Sequence, residues 1–180
     1  MALLRGINVG GHGTIRMADL KAHFEAFGVT DVATYIQSGN VLFTAPETDL
    51  VDLARALEKH LARAFGYADP VFLFSHRELR SAVANNPFEP ERLDAEQACH
   101  LMFLSGEPEA GRRDALMARQ GEEYRFAIAG KVLYYTYARE WAGRRRTIDF
   151  EKVLGVAGTA RSWKVVAALL ELAGAPAASS

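Results

Sequence analysis

The run Ser38-Gly39-Asn40-Val41-Leu42-Phe43 returns 91 residues later as Ala129-Gly130-Lys131-Val132-Leu133-Tyr134. Each copy places glycine second in a predicted two-residue turn and then enters an apolar-apolar-aromatic strand, a β-hairpin signal. Predicted helix ends at Gly28 and Gly121 stand at a similar interval of 93 residues. Two hairpins this alike, half a chain apart, point to a duplicated unit.

Outward from the hairpins the periodicity changes to that of helices. Met17, Leu20, Phe24 and Phe27 recur at three- and four-residue steps, as do Leu50, Leu53, Leu57, Leu61 and Phe65. Asp49 and Asp52 sit in the predicted first turn of the second series, where acid favours the helix dipole. Gly28, Gly66, Gly121, Gly155 and Gly174 each follow an apolar stretch, the place where a helix C-terminus favours positive φ. Ser75 and Glu78 have capping-box spacing and predict a shorter helix through Val83. A last helix is expected from Ser162 through Leu172.

Strands are expected at Ala2–Val9, Val32–Ile36, Val41–Thr44, Val71–Phe74, Ala98–Leu104, Tyr124–Ile128 and Val132–Tyr137. The order reads β-α-β-β-α-β, a helix, then β-α-β-β-α-α, with no clear fourth strand in the second half. The expected class is α+β, as two tandem ferredoxin-like (βαββαβ) repeats with antiparallel sheets, helices on one face and extra C-terminal helices. Repeat 1 spans residues 1–84, a linker 85–97, repeat 2 with its helices 98–174, and a small-residue tail 175–180.

Composition narrows the functional classes. The 180 residues are 49% hydrophobic and 24% charged, ordinary for a folded chain. Twenty-one basic against twenty-two acidic residues leave a net charge of −1, so no global basic field seeks nucleic acid or anionic membrane. The single cysteine, Cys99, excludes an internal disulfide framework. No secretory apolar region follows the N-terminus, and the longest apolar run, Val165–Leu170, falls far short of the ~20 residues a membrane span needs. The expected location is the cytoplasm.

The glycine-dense stretch Arg5-Gly6-Ile7-Asn8-Val9-Gly10-Gly11-His12-Gly13 lies between a strand and a helix, a context that favours anions. It is not a P-loop, because His12 and Gly13 stand where Lys and Ser or Thr are required. In a split βαβ unit this loop and the Gln37-Ser38-Gly39-Asn40 turn emerge at the same end of the sheet. That end gathers Arg5, Asn8, His12, Arg16, Gln37, Ser38 and Asn40, all hydrogen-bonding types. A hairpin turn explains Ser38 and Gly39 without any ligand. His12 lacks a carboxylate to orient it as a general base. The remaining histidines, His23, His60, His76 and His100, have no metal-ligand spacing, no nucleophile elbow is present, and no cofactor is called for. A second reading takes Arg139, Trp141, Arg144, Arg145 and Arg146 with Tyr134, Tyr135 and Tyr137 as a surface for RNA or another single strand. The strand lacks the RNP1 pattern, and alternation sends Tyr134 to the opposite face.

Three stretches together resemble a known family: Ala2-Leu3-Leu4-Arg5-Gly6-Ile7-Asn8-Val9-Gly10-Gly11, Thr34-Tyr35-Ile36-Gln37-Ser38-Gly39-Asn40-Val41 and Thr159-Ala160-Arg161-Ser162-Trp163. They are similar to the bacterial family called domain of unknown function 1697, and the resemblance spans essentially the whole chain. It implies two ferredoxin-like repeats and supplies no activity. The family usually carries a few more strand residues before Ala2. Its C-terminal motif is closer to Thr-x-Arg-Asn-Trp-Asn-Thr, so Arg161 and Trp163 carry over, whereas Ser162, Lys164 and Val165 depart from it. Read structurally, Thr159 or Ser162 caps the final helix and Trp163 staples it.

The expectation is a protein with no recognisable catalytic constellation that binds a small anion or nucleotide at the polar end of repeat 1. The expected ligand residues are Arg5, Asn8, Gly10, Gly11, His12, Gln37, Ser38 and Asn40, with Arg161 added by the resemblance. A scaffold or oligomerisation role is the third reading.

Overall fold

The computed structural model describes residues 1–8, 14–46, 48–93, 96–121, 124–138 and 148–174. Helices α1 (Met17–Phe27) and α2 (Leu50–Phe65) stop where the glycine pattern places their ends, with Gly28 and Gly66 in the left-handed region. Asp49 caps α2, its carboxylate accepting from the backbone of Val51 and Asp52. Before and between them run β1 (Ala2–Leu4), β2 (Thr30–Tyr35) and β3 (Asn40–Thr44), followed by β4 (Val71–Leu73). Helix α3 (His76–Ala84) opens on the reciprocal Ser75–Glu78 capping box, in which each residue bonds the other's backbone N–H.

The second half builds β5 (Gln97–Leu104), α4 (Ala110–Met117), β6 (Tyr124–Ala129), β7 (Val132–Ala138), α5 (Phe150–Leu154), β8 (Gly158–Ser162) and α6 (Trp163–Gly174). The protein is therefore α+β, with two four-stranded sheets ordered β2-β3-β1-β4 and β6-β7-β5-β8. Every strand pair in both is antiparallel. Contacts divide the chain into Met1–Leu79 with the chain from Leu169, and Arg80–Ala168.

In the first unit the face carrying Ala2, Leu4, Val32 and Val41 packs on Leu20 and Phe24 of α1 and Leu57 and Leu61 of α2. In the second unit Met102, Leu104, Phe126 and Leu133 pack on Leu116 of α4 and Leu154 of α5. Tyr134 points the other way and donates its hydroxyl to the Ala82 carbonyl of α3 at 2.9 Å. The second sheet thus meets helices on both faces, where one helical layer was expected.

Other differences have local causes. Strand β1 ends at Leu4 because Gly6 and Asn8 both take positive φ, 66° and 57°. Strand β8, absent from the sequence reading, pairs Leu104 with Gly158 and Leu101 with Arg161. Gly121 does not end a helix; α4 is capped at Ala118, and Gly174 is the last residue of α6. Among the described residues no helix is long and apolar enough to cross a membrane.

Candidate functional site

Topology brings the chain after β1 to the turn after β2, and one side chain joins them. The Asn8 amide donates to the Ile15 carbonyl at 2.9 Å and to the Gln37 carbonyl at 3.0 Å. Its carbonyl oxygen accepts from the Ile15 N–H at 2.9 Å. Both donors are spent. Asn8 therefore clips the chain before and after residues 9–13 together and ties both to the turn. Gly10, Gly11, His12 and Gly13 themselves lie outside the described residues.

The turn is not the two-residue hairpin expected. Tyr35 pairs with Asn40, so four residues, Ile36–Gly39, make the reversal. Only the later copy is tight: Ala129 pairs with Val132 around Gly130-Lys131, and glycine stands first in it. Asn40 is fully buried, and its amide donates to the Tyr35 carbonyl and the Ser38 hydroxyl, both at 3.0 Å. Gly39 is buried at φ 73°, and its carbonyl accepts from the Leu4 N–H at 2.8 Å. A Cβ there would stand 3.0 Å from Leu4 Cβ and 3.2 Å from the Leu4 carbonyl oxygen, so the close approach and the positive φ both require glycine.

The same turn exposes two residues. Ile36 sits at φ 48°, a conformation that sterics make an outlier for a β-branched residue, and it is 48% exposed. Gln37 is exposed, and its side chain makes no hydrogen bond among the described residues. Sequence reasoning missed Ile36. An apolar β-branched residue at a strand end reads as strand, and only the backbone geometry marks it.

Arg5 is set beside this end by Tyr67. The Tyr67 hydroxyl accepts from the Arg5 N–H at 2.8 Å and faces the Arg5 and Pro70 carbonyls at 3.2 and 3.3 Å. The Arg5 guanidinium lies 3.7 Å from the half-exposed Asp69 carboxylate. Arg161 belongs to β8 of the second unit, where it is 8% exposed and donates to the Thr159 hydroxyl and the Ala160 carbonyl, each at 2.8 Å. Thr159 is thus a strand residue and caps no helix. Trp163 opens α6 and donates its indole N–H to Glu91 at 3.1 Å.

The aromatic surface of the second sheet is partly spent on packing. His100, Tyr135 and Tyr137 stack at 5.3 to 6.2 Å with planes within 21°. Tyr135 also lies 4.8 Å from the Phe150 ring, and burial pushes its phenol far up. Arg139, Trp141 and Arg144–Arg146 lie outside the described residues. Burial raises the Cys99 thiol, which disfavours the thiolate a nucleophile needs. Among the described residues no group of three His, Cys, Asp or Glu side chains is placed to hold a metal ion.

The chain matches, over residues 1–134, the family described as Protein of unknown function (DUF1697), and it belongs to that family. Thr159–Trp163 lies beyond the matched residues. A solved structure, described as that of conserved bacterial protein SP0830 from Streptococcus pneumoniae, superposes with a TM-score of 0.75 at 22% identity, covering 96% of each chain. At that identity the likeness is one of fold. No protein of curated function matches the chain.

Proposed function

We propose that this member of the DUF1697 family binds a small anionic ligand, of nucleotide size or less, at the end of its first sheet. The reading rests on one observation above others. Ile36 is half-exposed with a strained backbone, in a turn that Asn8 and Asn40 fix, and the exposed Gln37 side chain beside it makes no hydrogen bond among the described residues. Strain of this kind costs of order 1–3 kcal/mol and persists where the surroundings enforce it, commonly at binding sites. Ligand contact is assigned to Gln37, to the Ile36–Gln37 backbone and to the glycine loop. Asn8 and Asn40 are positioning residues, and Arg5, shared with Asp69, supplies charge at the rim. We also read each half as a ferredoxin-like repeat. Both sheets share the order second-third-first-fourth, and β3 and β7 follow glycine turns in the same position of that order. The protein is taken to act in the cytoplasm, which suits its one buried free thiol.

A thermal-shift screen with nucleotides, sugar phosphates and dicarboxylates tests the site. A responding compound should lose its effect in Gln37→Ala, an exposed change expected to move stability by no more than about 0.5 kcal/mol. Ile36→Gly should fold at least as well and bind more weakly, because the enforced turn relaxes. A compound that stabilises Gln37→Ala and Ile36→Gly as well as the parent overturns the assignment, as does a screen without any response.

A further inference from the structure

A cleft of about 570 Å³ opens between α4 and α5 of the second unit, a volume suited to a small molecule. Its wall carries three cations, Arg112, Arg119 and Lys152, against two carboxylates, Glu109 and Asp149. One of the carboxylates is committed, since Asp149 accepts from the Lys152 N–H at 3.0 Å as the α5 cap. Arg112 is tied to backbone. Its guanidinium donates to the Lys152 and Val153 carbonyls at 3.2 and 3.4 Å, satisfying the last turn of α5. It does so by lying over Gly155, where a Cβ would meet Arg112 Nε at 3.2 Å. The φ of 71° and this close approach both keep Gly155 free of a side chain.

Arg119 and Lys152 are different. Both are exposed, and among the described residues neither side chain makes an ion pair or hydrogen bond. Two uncommitted cations and a third fixed by backbone carbonyls therefore share one concave surface. Cations left unpaired in a cleft raise the local concentration of anions, and an arginine fork matches phosphate oxygens. We infer that the α4–α5 cleft binds a phosphate-bearing small molecule through Arg119 and Lys152, with Arg112 as the fixed wall.

The cleft belongs to the second unit and the turn at Ile36–Gly39 to the first, with no residue in common, so one measurement reads both independently. Pyrophosphate and adenosine triphosphate would be titrated separately into the ¹⁵N-labelled chain. Saturable shifts are expected at the amides of Gly111, Arg112, Ala115, Arg119, Lys152 and Val153. Arg119→Ala with Lys152→Ala should weaken the dissociation constant at least tenfold without altering the remainder of the spectrum. Equal affinity for the two probes assigns the site to the phosphate group alone, and tighter binding of the nucleoside triphosphate assigns it to a larger phosphorylated molecule. Either supports the inference. Shifts spread evenly over exposed arginines, no saturation with either probe, or affinity unchanged in the double variant overturns it. Shifts confined to Gln37 and its neighbours would support the first-sheet site and reject this one.

Discussion

At the scale of single residues, amide side chains decide what the polar end of the first sheet is made for. Asn8 and Asn40 turn their donors inward, to backbone carbonyls and a hydroxyl, and both serve the turn. Topology alone placed Asn8 near Gln37; which amide faces solvent depends on atomic positions that residue type does not encode. Tyr134 shows the same inward use on the second sheet. It is 1% exposed, donates to Ala82, and burial pushes its phenol up to about 12. A raised acid pKa means that the folded state holds its proton where the unfolded chain has lost it. The associated stability is present below about pH 10 and is lost as pH rises through the folded value. Tyr134→Phe should cost about 1 kcal/mol at pH 7, from the lost hydrogen bond. Between pH 10 and 12 its stability should fall less steeply than the parent's, with Tyr135 leaving a residual slope of the same sign. Urea denaturation at pH 8 and pH 11 measures both, and parallel losses in parent and variant would refute the account.

At the scale of elements, glycines bound to backbone geometry separate what sequence reveals from what it hides. Gly158 pairs with Leu104 in β8, and a Cβ there would stand 2.5 Å from Met102 Cε, 3.0 Å from Met102 Cγ and 3.1 Å from Leu104 Cδ2. The terminal methyl moves easily; Cγ and the leucine do not. Gly158→Ala should therefore cost roughly 1–3 kcal/mol by overpacking. Met102→Ala, which removes the γ carbon, should therefore cost less in the Gly158→Ala chain than in the parent, and a denaturation midpoint untouched by Gly158→Ala would contradict the packing. Helices α1 and α2 were legible because three- and four-residue apolar steps and a capping glycine agree with each other. Strand β8 was not. Gly158-Thr159-Ala160-Arg161-Ser162 offers no apolar alternation, and its buried residues are Gly158, Thr159 and Arg161. Such a strand is specified by its partner β5, whose run Ala98–Leu104 is buried at nearly every position. The echoed hairpins misled in one detail, since the same Gly-x-apolar signal accompanies a two-residue turn in one unit and a four-residue turn in the other.

At the scale of the whole molecule, the α+β class and the division into two sheets followed from repeating a local pattern. Each sheet has a core of its own chain segment: one is drawn from Ala2 to Val71, the other from Met102 to Leu154. Two such cores predict two cooperative units in hydrogen exchange. Asn40→Asp tests this from inside the first. The change keeps shape, removes both donors, and sets a carboxylate against the Tyr35 carbonyl in a fully buried position. Losing both donor bonds and setting a charged acceptor against that carbonyl should cost about 2–4 kcal/mol. If the cores open separately, the Leu4 amide, bonded to the Gly39 carbonyl, should lose protection by that full amount. The Leu104 amide, bonded to Lys131 in the second sheet, should exchange as it does in the parent. The comparison must be made under conditions where exchange reports opening free energy, so that rates convert directly to stability. Equal loss of protection at Leu4 and Leu104 would mean that the two cores open as one, and the division into independent cooperative units would fail.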